Sequence, residues 1–102
     1  MDFTTKVGDT KNALIATLEP AQGAVADIAT VRFRMSDTLY NNKILREVDS
    51  RTSAEVTVNF TAAEVATEGH YLGEFEITYT DDKVETIPNE GYIKITIEKN
   101  VG

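Results

Sequence analysis

The chain of 102 residues has no cysteine, no tryptophan and a single histidine. Without thiols there is neither a disulfide framework nor a thiolate metal site. With His70 alone, most zinc geometries are excluded, and so is every Ser–His or Cys–His pair not built on that residue. No apolar run reaches the ~18 residues that a membrane helix requires. The opening MDFTTKVGDT lacks the apolar stretch of a signal peptide. Basic charge is scarce as well, with ten lysines and arginines against seventeen aspartates and glutamates, a net charge of −7. Such a surface repels nucleic acid phosphates and anionic membranes, so neither is an expected partner. These absences describe a soluble protein that folds without oxidation.

The acidic excess is uneven. Residues 1–53 hold seven acidic and seven basic side chains, whereas residues 54–102 hold ten and three. Solubility accounts for this plainly; the sharper reading is an acidic face that meets a basic partner or mimics DNA. The length predicts one domain, residues 1–102, burying roughly 60–70% of its unfolded surface around a single core.

What is present is strand pattern. Glycines and prolines punctuate short segments of β-branched and aromatic residues. ALIATLEP places Leu14, Ala16 and Leu18 on one face and ends at Pro20. TVRFRM sends Val31, Phe33 and Met35 one way, and Arg32 and Arg34 the other. In SDTLYNNK, Asn41 and Asn42 suit left-handed turn geometry. ILREVD is a weaker strand, and AEVTVNF turns Val56, Val58 and Phe60 inward. Thr61 followed by Glu64 is a capping-box spacing, which predicts one short helical turn in TAAEVATEG. In the next strand Tyr71, Phe75, Ile77 and Tyr79 share a face, with Gly73 among them; TDDK turns the chain, VETIP is briefly extended, and YIKITIE points Ile93, Ile95 and Ile97 inward. About seven strands with one apolar face each predict an antiparallel β-sandwich, all-β apart from that helical turn.

Reactive constellations are thin. Asp81, Asp82 and Glu85 offer oxygens suited to calcium, but with no EF-hand spacing and with Lys83 among them they describe a solvated hairpin turn. Glu74 and Glu76 lie two apart on one strand, and exposed cross-strand pairing accounts for them better than acid–base catalysis in a cleft. His70, between Gly69 and Tyr71, has no serine or carboxylate at telling spacing and describes a surface residue. The sequon NFT at 59–61 is a chance match without a secretion signal. No phosphate-cradling loop or nucleophile elbow occurs. No catalytic residue, metal ligand or cofactor is therefore expected. GHY at 69–71 is more telling: a tyrosine at the start of strand F, after the crossover from strand E, is where immunoglobulin-like sandwiches place a tyrosine corner.

The run TAAEVATEGHYLGEFEITYTDDKVETIPNEGYIKITI, residues 61–97, resembles the immunoglobulin-like domain found at the N-terminus of phage baseplate upper proteins and in related small virion proteins. The likeness rests on the alanine- and acid-rich crossover, Gly69–Tyr71, Glu74–Phe75–Glu76, Asp81–Asp82, Thr86–Pro88–Gly91 and Ile93–Ile97. GDT at 8–10, LIATL and ATVRFRM resemble the family's opening more loosely. DIAT lacks the glycine of the usual turn, DDK stands where a D-G is frequent, and Phe60 stands where a tryptophan is common.

The resemblance implies a non-enzymatic structural part of a phage particle: a tail or baseplate, neck or head-decoration component acting by protein–protein docking. It would be assembled in the host cytoplasm and carried in the virion, with other virion proteins as partners and self-association as one option. On this reading, a chain running from Met1 to shortly after the last strand would leave no length for a fibre or receptor-binding domain. An acidic phage-encoded inhibitor or DNA mimic is the rival expectation, and an immunoglobulin-like adhesion module the third. Gly69, Tyr71, Phe75, Pro88 and Gly91 are the expected structural positions. With strands C, F and G side by side, Arg32, Arg34, Glu74, Glu76 and Lys94 are expected to form a basic–acidic–basic ladder on the solvent face. Leu72, Tyr92 and Thr96 fill its gaps to make a docking surface, and the loop around Asn41–Lys43 is the alternative contact.

Overall fold

The computed structural model describes residues 1–101. Nine strands run in chain order: β1 (Asp2–Lys6), β2 (Ala13–Thr17), β3 (Ile28–Asp37), β4 (Asn42–Glu47), β5 (Ser50–Thr52), β6 (Glu55–Asn59), β7 (Gly69–Tyr79), β8 (Val84–Ile87) and β9 (Ile93–Glu98). They form two sheets. Six strands make the larger one, in the order β1–β9–β7–β3–β4, with β8 also beside β7; the smaller is β2–β6–β5. Every pairing is antiparallel except β1 on β9, which is parallel. The fold is an all-β sandwich, as the alternation predicts, and β3, β7 and β9 lie side by side.

Strict alternation makes the sandwich close. Phe33, Phe75, Leu14, Ile77, Ile95, Val56 and Val58 are fully buried, joined by Val31, Met35, Tyr71, Tyr79, Phe60, Ile93 and Ile97. These are the inward sets expected from each strand. Phe33 lies at the centre, edge-on to Phe60 at a ring-centroid distance of 5.8 Å and tilted against Phe75 at 5.5 Å. Gly73 leaves the room for this: a Cβ there would come within 2.7 Å of Ile95 Cδ1 and 3.3 Å of Phe33.

Among the described residues nine strands stand where about seven are expected. β1 carries a single inward aromatic, Phe3, packed 5.5 Å from Phe60, and buries Thr5, so its pattern is half polar. β5 is wholly exposed and has no apolar side to detect. The helical turn is also displaced. Residues 61–65 form a hydrogen-bonded turn in which the expected capping box is realised. Thr61 N donates to Glu64 Oε1 at 2.9 Å, and Glu64 N to Thr61 Oγ1 at 3.2 Å. The one 3-10 helix among the described residues lies instead at Val25–Asp27.

Tyr71 makes the corner. Its hydroxyl donates to the Thr67 carbonyl at 2.8 Å, tying the start of β7 back to the crossover. Gly69 opens that strand. Pro88 follows β8, and Gly91 turns the chain toward β9 with φ +72°, a left-handed backbone that glycine adopts without a Cβ clash.

Candidate functional site

On β3 and β7 the residues that alternate with the core point outward, and the register sets them opposite one another. Arg32 faces Glu76, Arg34 faces Glu74, and Ser36 faces Leu72. β4 extends the rows, with Glu47 beside Arg32 and Leu45 beside Arg34. The charges are tied together. Arg32 Nη2 lies 2.6 Å from Glu76 Oε1, Arg34 Nη2 lies 2.9 Å from Glu76 Oε2, and Arg34 Nη1 lies 3.1 Å from Glu74 Oε1. Glu76 therefore bridges two guanidinium groups. The Arg32 hydrogen bond, aided by both positive charges, outweighs burial and holds its carboxyl below the usual glutamate value. Arg34 Nε, by contrast, is buried without a partner.

The expected third rung is absent. Lys94 lies opposite Leu72, not Glu74, because β9 pairs only with residues 69–73 of β7. β8 takes the stretch from Phe75 to Thr78 on the same side, and Thr86 is the neighbour of Glu76. The ladder is thus two-stranded, arginine against glutamate, and Lys94 stands apart beside Asp2.

Above the Arg34–Glu74 rung, Tyr40 and Tyr92 meet with ring centroids 6.2 Å apart and planes inclined by 50°. They remain 66% and 42% exposed. The Tyr40 hydroxyl beside it raises the Tyr92 pKa above the ordinary phenol value. With Leu72 beneath and Arg34, Asn42 and Glu74 alongside, the pair walls a groove of about 240 Å³. Tyr40 reaches this place from the β3–β4 turn, where it takes φ +64°. The left-handed position expected at Asn41 or Asn42 is filled by a tyrosine instead. Asp37 holds the turn: its Oδ1 accepts from Leu39 N at 2.9 Å and from Asn41 N at 3.0 Å, and its carbonyl accepts from Tyr40 N at 3.0 Å. Bonds from the Asn41 backbone, outweighing the opposing effect of partial desolvation, hold the Asp37 carboxyl below its usual pKa. Tyr40 carries no sequence signal of this kind, since neither apolar period nor turn preference marks it.

The remaining reactive groups are structurally engaged. His70 is exposed, with Nδ1 3.3 Å from Thr96 Oγ1. Glu85 does not join Asp81 and Asp82 in a solvated turn, as the sequence suggests. It is opposite inward-facing Ile77 and only 7% exposed. Its carboxylate accepts from Tyr79 Oη at 2.6 Å, Ala21 N at 2.9 Å, Asn89 Nδ2 at 3.0 Å and Gln22 N at 3.3 Å. The Tyr79 hydrogen bond is the leading cause of a lowered Glu85 pKa, and burial with that same bond pushes Tyr79 up to about 12. Among the described residues no group of three or more histidine, aspartate or glutamate side chains is placed to hold a metal ion.

A second network was not visible in the sequence. Arg46 on β4 grips Glu64 with Nε 2.7 Å from Oε2, reaches Asp49 at 3.0 Å, and donates to the Asn59 carbonyl at 3.0 Å. Burial pushes the Glu64 carboxyl up, but the Arg46 and Thr61 bonds outweigh it and leave its pKa below the usual value. The capping box at Thr61–Glu64 is the only part of this network with a readable spacing.

No family model and no curated protein matches the chain. The resemblance to phage immunoglobulin-like domains therefore rests on the sequence pattern alone. Among solved structures the chain is similar to CopC from Methylosinus trichosporium OB3b, at 10% identity and a TM-score of 0.61, over 99% of this chain and 87% of that one. At this identity the likeness establishes the β-sandwich. The expected role is corrected here: the comparisons yield a CopC structure of similar fold and nothing that indicates a tail, baseplate, neck or decoration protein, so the virion assignment is withdrawn. The acidic-mimic alternative gains no support either, because Arg32 and Arg34 pair with Glu74 and Glu76 and interrupt an acidic face on β3 and β7. Nothing in the comparison favours the adhesion module.

Proposed function

We propose that this chain is a non-enzymatic recognition module that binds its ligand on the outer face of the β4–β3–β7–β9 sheet, centred on the Tyr40–Tyr92 groove. Tyr40 is the observation that carries this reading. A left-handed backbone costs a residue other than glycine roughly 1–2 kcal/mol, and asparagine or glycine fills such positions with less strain. Here a tyrosine occupies it, 66% exposed and outside the core. Strained positions concentrate where binding requires them. Tyrosine and arginine are also the residues enriched at the energetic centre of contact surfaces.

Three features support the non-enzymatic part. The groove's charges are committed to one another in ion pairs. His70 has a threonine hydroxyl as its polar contact. Glu85, the buried carboxylate, is saturated by four donors.

The test is chemical-shift mapping of the ¹⁵N-labelled protein against a panel of soluble saccharides and peptides. Any ligand that binds is expected to move the amides of Arg34, Tyr40–Asn42, Leu72–Glu74 and Tyr92. Shifts centred on the β2–β6–β5 sheet, or turnover of the ligand, contradict the proposal.

A further inference from the structure

We infer that the Tyr40–Tyr92 groove is a site for a neutral carbohydrate, a pyranose unit resting on the two tyrosines; this rests on the recognition face proposed above. Four observations select the ligand class. First, the rings are exposed and adjacent, 6.2 Å between centroids with planes inclined by 50°, so together they offer one angled aromatic cradle. A sugar's C–H face has the partial positive charge that the negative face of an aromatic ring attracts.

Second, the platform is bordered by groups that both donate and accept. The Asn42 amide, the Ser36 hydroxyl and the two phenols do both, Arg34 donates and Glu74 accepts. That mixture suits vicinal hydroxyls, each of which is itself donor and acceptor. Third, the groove has no uncompensated charge. Arg34 is paired to Glu74 at 3.1 Å and to Glu76 at 2.9 Å, so an ionic ligand finds no net counter-charge, and a phosphate or carboxylate would have to displace an existing pair. Fourth, the floor is formed by β3 and β7, whose backbones are paired on both sides at Arg34 and Leu72. An extended peptide adding itself as a strand needs a free edge, which the sheet offers at β4, to the side of the groove, and not at its floor.

The size sets the affinity. At about 240 Å³ the groove is smaller than the roughly 300–1,000 Å³ clefts that enclose drug-sized ligands. One sugar unit is cradled, on one face, and the remainder of a longer glycan lies over the sheet. A dissociation constant on the order of 1 mM is expected for a disaccharide.

The experiment titrates the full chain with cellobiose, maltose, lactose and N,N′-diacetylchitobiose, followed by amide shifts and tyrosine fluorescence. At least one is expected to bind, shifting Tyr40, Asn42 and Tyr92, with affinity unchanged by added salt because the ligand is neutral. Tyr40→Ala should weaken it by about tenfold or more, equivalent to roughly 1.4 kcal/mol. Tyr40→Phe, which keeps the platform, should retain most of the affinity, and Ile15→Ala on the opposite sheet should change nothing. Circular dichroism verifies that each variant is folded. Absence of saccharide shifts while a peptide perturbs the groove overturns the carbohydrate assignment and leaves the recognition face standing. Absence of any groove shift with either class overturns both. Saccharide binding indifferent to Tyr40→Ala places the site elsewhere and overturns the inference.

Discussion

Removing the Glu85 carboxylate probes how far a buried charge holds one corner of this sandwich. Four donors converge on it, from Tyr79, Asn89 and the backbone of Ala21 and Gln22. In Glu85→Ala the Tyr79 hydroxyl is stranded in a buried site, and a buried donor left without its partner costs about 1–3 kcal/mol. The two loop amides and the Asn89 amide are only part-buried and regain water, so each loses less. Removing a charge from a desolvated site also returns some energy. The net expectation is a loss of about 3 kcal/mol at pH 7, read by urea denaturation followed by circular dichroism. Tyr79→Phe leaves the carboxylate with three donors and should lose about 1–2 kcal/mol. The two changes share a bond, so the double variant should lose less than their sum. Hydrogen exchange at Ala21 and Gln22 should accelerate in Glu85→Ala.

The pH dependence has a definite sign. The folded Glu85 pKa is lowered below the ordinary 4.5, so its contribution is present above pH 4.5 and is lost as pH falls through the folded value. Other lowered carboxyls steepen the acid limb too, and the wild-type minus Glu85→Ala difference isolates this one. At the alkaline end Tyr79 is raised from 10.0 to about 12, so the unfolded chain loses its proton first and stability falls as pH rises from 10 toward 12. A Glu85→Ala loss below ~0.5 kcal/mol, or a Tyr79→Phe loss equal to it, would refute the reasoning.

Tyr71→Phe should lose about 1–2 kcal/mol by urea denaturation, because the Thr67 carbonyl loses its 2.8 Å donor at the corner. Phe75→Ala should lose roughly 3–5 kcal/mol as a truncation beside Phe33, whereas Leu72→Ala, on the outer face, should lose about 1 kcal/mol; equal losses would mean that the outer face is covered in solution. Gly73→Ala should lose about 1–3 kcal/mol in the same assay, since the added methyl meets Ile95 Cδ1 at 2.7 Å.

The core is legible because the inward sets alternate with mostly polar residues, a period that a sandwich of strands satisfies. Burial follows it from Leu14 through Ile97. What escaped was pairing that alternation does not encode. Lys94 has the right parity for the outer face, but two strands, β8 and β9, share one side of β7, so parity alone misassigns its neighbour. The spacing groups Glu85 with Asp81 and Asp82 in one acidic turn. Counting parity along β8 sets it opposite Ile77, inward, where the Tyr79 hydroxyl needs a partner. Arg46 and Glu64 are eighteen residues apart and meet only once β4 and the crossover are in place. The site itself is the least legible part, for Tyr40 sits where turn preference favours its asparagine neighbours.

The most direct test of whether Tyr40 is kept for binding and not for folding is the stability of Tyr40→Asn. Asparagine tolerates the left-handed backbone, which relieves about 1 kcal/mol. Loss of the exposed ring pair with Tyr92 costs about 0.5–1 kcal/mol in the opposite direction. The two nearly cancel, so the urea midpoint should correspond to a stability within ~0.5 kcal/mol of the parent. A loss above ~1.5 kcal/mol would show that Tyr40 is structural and would contradict the recognition face.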